Sequence, residues 1–259
     1  MDTALRTVFA VLLGLALGSF VTVLVHRIPR KESIVAPRSR CPSCGVEIRP
    51  RDNIPVLSYV LLMGRCRKCG ARISPEYPLL ELATAGLFAG AALRFDSTYT
   101  AVMMALFFMV LLAVAVIDVG HKIVPNRIVY PALVGFALLV VIGSVVGPRL
   151  DLVAAGLGFL AYGGALFLVA MVSPGGMGMG DVKLAALIGL VLGALGLRYV
   201  AVAAGVAILA GGLGALGLLL FTRASRKKAI PFGPYLAAGA VVAAFVGPRI
   251  ASWYTGLAH

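Results

Sequence analysis

The stretch AVMMALFFMVLLAVAVIDVGHKIVPN, Ala101 to Asn126, decides how the rest of the chain is read. From Ala101 to Ile117 there is no charged residue, and then Asp118 closes the run. His121, Lys122 and Pro125 follow at once. At a rise of ~1.5 Å per residue, an apolar helix of this length covers most of a ~30 Å hydrocarbon layer. An acid at the end of such a helix sits at the membrane boundary. A second acid, Asp181, opens another apolar run behind Gly178-Met179-Gly180.

The same pattern repeats along the chain. Hydrophobic residues make up 61% of it and charged residues 13%, against ~25% charged in a soluble domain. Apolar runs alternate with short polar joints, which predicts an all-α polytopic membrane protein. Eight spans are expected, roughly over 5–25, 79–93, 98–118, 128–147, 151–172, 182–197, 199–221 and 232–252. The second and sixth are short for the bilayer. After the first run comes His26-Arg27-Ile28-Pro29-Arg30-Lys31 with no small-residue cleavage site, so that run reads as an anchor and not a removable signal.

The net charge of +13 invites a nucleic-acid reading, but the charges segregate. All but five of the 23 Lys and Arg residues fall on one side of the expected spans. They crowd the segment between spans one and two, the joint after Asp118, the start of span six at Lys183, and Arg223, Arg226, Lys227 and Lys228. The other side holds Arg6, Arg94, Arg149, Arg198 and Arg249. That bias puts the first side in the cytoplasm and makes the lipid bilayer, not nucleic acid, the partner. Two spans separate Asp118 from Asp181, so both acids are expected on the cytoplasmic side at similar depth.

The large cytoplasmic segment carries all four cysteines, as Cys41-Pro-Ser-Cys44-Gly45 and Cys66-Arg-Lys-Cys69-Gly70. Two C-x-x-C pairs at this separation match a four-thiolate zinc site. Tetrahedral Zn²⁺ would leave no open position, which makes the role structural. Each following glycine permits the tight turn that aims backbone N–H groups at sulfur, and the clustered Arg and Lys would help keep the thiols ionised. A disulfide pair or free thiols are the plainer readings; a reducing cytoplasm weighs against the disulfide.

An acid inside a membrane protein costs free energy and marks function by default. Two carboxylates sharing a water can hydrolyse an amide, one taking a proton from the water and the other polarising the carbonyl. The residues alone leave alternatives open: an ion- or proton-coupled transporter, interfacial capping, or pairing of Asp181 with Lys183 or Lys122. Gly178 and Gly180 permit close backbone approach, which would let an extended peptide lie against them. Lys183 reads as a charge on the substrate side or as an interfacial anchor. Glu81, in the first turn of the second span, reads as a substrate contact or as an acid favoured by a helix N-terminus.

The ordered motifs resemble those of the type IV prepilin peptidases, the leader peptidase/N-methyltransferases. They run through Gly18-Ser19-Phe20, Arg27-Ile28-Pro29, Arg40-Cys41-Pro42-Ser43-Cys44 and Asn53-Ile54-Pro55. Next come Gly64-Arg65-Cys66-Arg67-Lys68-Cys69 and Tyr77-Pro78-Leu79-Leu80-Glu81. Ile117-Asp118 with Pro125, Gly178-Met179-Gly180-Asp181-Val182-Lys183 and Pro231-Phe232-Gly233-Pro234 complete the set. The resemblance implies a multi-pass aspartic peptidase of the cytoplasmic (inner) membrane, with Asp118 and Asp181 as its catalytic pair. Its substrates would be type IV prepilins and pseudopilins, cut on the cytoplasmic side, and its methyl donor for the new N-terminus S-adenosylmethionine. It also implies zinc at Cys41, Cys44, Cys66 and Cys69. On this reading residues 1–26 are the first transmembrane helix. Residues 27–78 form the zinc segment associated with methylation, and 79–259 form the peptidase helices. Thr22 stands where the family commonly has Asn, and Met63 where an Arg often stands. No glycine-rich nucleotide fingerprint locates the methyl donor.

Overall fold

The structure is a computed structural model describing residues 2–172, 177–221 and 231–256. The basic residues Arg223, Arg226, Lys227 and Lys228 lie outside the described residues. Among those described there are helices and two isolated β-bridges but no strand. The all-α expectation holds.

Helices occupy all eight stretches expected to span. They are α1 (Thr3–Arg27), α3 (Glu76–Arg94), α4 (Thr98–His121), α5 (Asn126–Val145), α6 (Leu152–Gly158) continued by α7 (Gly164–Val172), α8 (Met179–Gly193), α9 (Leu197–Phe221) and α10 (Gly233–Thr255). A short helix, α2 (Leu57–Leu61), lies in the cysteine segment. Six of the eight are long and apolar enough to cross a membrane. The other two are α3, whose first turns carry Glu76 and Glu81, and α8, which at 15 residues is ~22 Å long.

The chain forms two compact units, Met1–Met109 and Val110–His259. In the first, α1 packs along α3. Glycine makes this approach possible: a Cβ on Gly14 would stand 2.7 Å from the Ala85 Cα, and one on Gly18 would stand 2.7 Å from the Glu81 Cα. Small residues at such contacts let lipid-embedded helices gain dispersion energy where there is no hydrophobic driving force. Arg6 of α1 caps the far end of α3 by donating to the carbonyls of Asp96 and Ala92.

In the second unit α8 is the central helix. Ten of its residues are buried, from Val182 to Gly193, and α5, α6, α7, α9 and α10 pack against it. Its glycines meet the backbone of the helix beside it, Gly189 against the Gly158 carbonyl and Gly193 against the Ala154 carbonyl. Between α6 and α7 a π-helical turn, Phe159–Gly163, interrupts the span and sets Gly163 against Ala186. A helix buried on every side explains why α8 is shorter than its neighbours: its length is set by protein packing, not by the bilayer.

Candidate active site and metal centre

Asp118 sits in the last turn of α4 and is only 4% exposed. Its Oδ2 accepts a 2.9 Å hydrogen bond from the Gly233 N–H, the first residue of α10. The pairing demands glycine, because a Cβ at that position would lie 2.8 Å from the same oxygen. Pro231 and Pro234 bracket this turn, and a proline in the first turn of a helix costs no backbone bond. The Pro231-Phe232-Gly233-Pro234 motif thus delivers a backbone donor to the first acid.

Asp181 lies in the first turn of α8, where Gly178 is the extended N-cap. Its own N–H bonds the Gly178 carbonyl at 3.0 Å. Gly180 leaves no room for a side chain: a Cβ there would stand 2.6 Å from the Cβ of Val124. The joint after α4 therefore closes directly over the start of α8. The two acids are near enough for the charge of Asp118 to act on Asp181 through space. Neither carboxylate pairs with a Lys or Arg among the described residues.

Lys183 is placed elsewhere. Its Nζ donates to Asn126 Oδ1 at 3.1 Å and stands 4.8 Å from the centre of the Tyr130 ring. The ammonium thus rests over an aromatic face and donates to one neutral acceptor. The start of α5 supplies both contacts, a role that charge patterning along the chain could not show.

In the other unit, Glu81 is 7% exposed. Its Oε2 accepts from the Val56 N–H at 2.7 Å, and the Ser19 side chain bonds the same carboxylate. Val56 has φ 59° and ψ −49°. A β-branched residue there is a backbone outlier; it turns the amide toward the acid.

The four cysteine sulfurs all lie within 4.8 Å of one another, with Cys41 and Cys69 at 3.9 Å. A tetrahedron with ~2.3 Å metal–sulfur bonds has sulfur–sulfur edges of ~3.8 Å, so the set fits one Zn²⁺. The two halves repeat each other. Gly45 and Gly70 have φ of 68° and 70°, and their N–H groups bond the carbonyls of Cys41 and Cys66, each at 2.9 Å. Bridges Arg40–Glu47 and Arg65–Arg72 close both knuckles. No internal repeat is evident in the sequence; the structure contains this local one.

The thiols are tuned mainly by the backbone. Amides of Cys44 and Ser43 draw the Cys41 thiol down to about 6, and those of Cys69 and Lys68 lower Cys66. At Cys69 the Ala71 amide lowers the value, but burial and the neighbouring thiols outweigh it and hold the group at about 11. The basic side chains expected to ionise the thiols are not the main cause. One of them, Arg67, is committed to Asp52 at 2.8 Å.

Comparison with known proteins agrees with this arrangement. The profile described as "Bacterial Peptidase A24 N-terminal domain" matches residues 12–95, and that of the "Type IV leader peptidase family" matches 105–216. A Bacillus subtilis protein named prepilin leader peptidase/N-methyltransferase is 40% identical over 95% of this chain and 96% of its own. Proteins of the same name from Burkholderia pseudomallei and Pseudomonas aeruginosa are 34% and 35% identical, over 95% and 94% of this chain and 87% and 91% of theirs. No solved structure matches. With both halves matched in order and relatives aligned nearly end to end, the chain belongs to the type IV leader peptidase family.

Proposed function

We propose that the protein removes the leader peptide of type IV prepilins or pseudopilins and then methylates the new N-terminal amine. Asp118 and Asp181 are the catalytic pair. The observation that carries this reading is their convergence in one compact unit, each from the end of a different helix, with no ion pair to a Lys or Arg at either among the described residues. Facing carboxylates share a proton, since two like charges a few Å apart are not both ionised at modest cost. The ionised one takes a proton from water as the water oxygen adds to the scissile carbonyl. The protonated one gives its proton to the carbonyl oxygen. Collapse of the adduct, with a proton passed to the leaving nitrogen, frees the amine.

Gly178 leaves the approach to α8 open for an extended substrate, Gly180 lets the Val124 joint close against the helix start, and Lys183 presents its charge on the same helix. Glu81 serves the methylating half by fixing the loop at Val56. S-adenosylmethionine supplies the methyl group. A Zn²⁺ held by Cys41, Cys44, Cys66 and Cys69 keeps that half in shape. The catalytic pair and the zinc segment are read as facing the cytoplasm from the crowding of basic residues. The transporter alternative gains no support from the relatives.

The test is a synthetic prepilin peptide offered to purified protein, with and without the methyl donor, and read by mass. Asp118→Asn and Asp181→Asn should each leave the peptide whole while the protein still inserts. Full cleavage by either variant would refute the catalytic pair. A cleaved but unmethylated product in the presence of donor would reduce the protein to a peptidase.

A further inference from the structure

The short helix α2 is inside out for a segment in water. Ser58 is buried, and its hydroxyl bonds the Arg51 carbonyl and the Ile54 amide. Leu57, Val60, Leu61 and Met63 point outward at 50%, 64%, 69% and 84% exposure. An exposed apolar cluster of this kind has a partner.

Its depth says which. Arg6 and Arg27 stand near the two ends of α1. Their 21-residue separation spans ~31 Å, the thickness of the hydrocarbon layer. Gly18 touches Glu81 and lies nine residues before Arg27, so Glu81 is ~13 Å inside that boundary. The Glu81 carboxylate holds the Val56 amide, one residue before α2 begins. The loop therefore dips below the level of Arg27.

Its backbone is built for that. Irregular chain survives at membrane depth only when its polar groups are satisfied within the protein. The Ile54 amide goes to the Ser58 hydroxyl, the Val56 amide to Glu81 and the Ser58 amide to the Ile54 carbonyl. Arg51 on one side of α2 and Arg65 and Lys68 on the other are exposed.

From this we propose that Leu57–Leu61, with Met63, is a re-entrant membrane element. Its apolar face lies against the acyl chains of the leaflet on the zinc-knuckle side, and Arg51, Arg65 and Lys68 face anionic head groups. The element anchors the metal-bearing segment to the bilayer, independently of the spans.

The chain has one tryptophan, Trp253, so a W253F background gives a clean probe. Leu61→Trp, Met63→Trp and Glu47→Trp are made singly in the full protein, each checked for retained zinc. They are reconstituted in vesicles of phosphatidylglycerol and phosphatidylcholine with brominated acyl chains. Emission of L61W and M63W should be quenched by lipid bromine about twofold or more over E47W, and E47W should be the one quenched by acrylamide. If L61W and M63W are as open to acrylamide as E47W, the segment lies in water and the proposal fails. If neither quencher reaches them, protein covers the face, from a second copy or a bound helix, and the proposal fails equally.

Discussion

The backbone N–H of Gly233 donates to Oδ2 of Asp118 at 2.9 Å, across 115 positions of chain. One oxygen of the carboxylate is thereby fixed. Gly233→Ala would drive a methyl group to within 2.8 Å of that oxygen, forcing the carboxylate to turn. Misplacing a reacting group by about 1 Å costs on the order of 10²-fold in rate. Leader cleavage by G233A should fall by about that factor, with KM for the peptide little changed and helix content intact by circular dichroism. Undiminished kcat would show that the amide only packs against Asp118.

Gly180 has a different task, and a pair of substitutions separates it. Gly180→Ala sets two Cβ atoms 2.6 Å apart, its own and that of Val124. Either the joint after α4 or the start of α8 must move, and Asp181 is one residue away. Cleavage should drop at least ~10-fold in G180A. Val124→Gly removes the opposing atom, so G180A/V124G should recover activity beyond what the separate losses add up to. Additive losses would mean that Gly180 matters through the substrate and not through Val124.

How much of this could be read from residues alone follows a physical line. Helix positions and the two acids were legible because a bilayer imposes long apolar runs and makes charge rare. Asp118 and Asp181 stand out against that background. Parity of the intervening spans predicts one side for both, and the structure sets both in one compact unit. The partners were not legible. Gly233 is a backbone donor, and a motif does not announce an amide. Asn126 and Tyr130 reach Lys183 across two helix ends, a contact between distant positions with no local periodicity. Val56 at Glu81 depends on a backbone outlier that no propensity predicts. The short α8 was visible as a short apolar run, but its cause, enclosure by five helices, is a tertiary fact.

Glu81 offers a stability prediction. Its carboxylate is buried and satisfies the Val56 amide. Glu81→Ala leaves that donor orphaned at ~1–3 kcal/mol, whereas Glu81→Gln keeps a carbonyl oxygen in place. The melting temperature in detergent should fall clearly for E81A and much less for E81Q. Equal falls would mean that the negative charge, not the acceptor, is what this position needs.

The cysteine cluster makes a graded prediction about metal. Purified protein should carry one zinc per chain by elemental analysis, and cobalt exchanged into the site should give the absorption of a tetrahedral thiolate centre. The four ligands are unequal. Cys41 is buried and its sulfur faces the amides of Cys44 and Ser43, whereas Cys44 and Cys69 are exposed. Replacing Cys41 by Ser removes the best-prepared thiolate and puts a poorer ligand where the turn is least able to adjust, so C41S should lose the metal outright. At exposed Cys44 or Cys69, water or a shifted side chain has room to complete the tetrahedron, so C44S and C69S should retain a weakened site, released by lower chelator concentrations. Since binding energy at such a site is also folding energy, proteolysis between residues 27 and 78 should rise in the same order. If the three serine variants bound zinc equally, sulfur would not be the ligand set, and the knuckles would be held by their Gly45 and Gly70 turns alone.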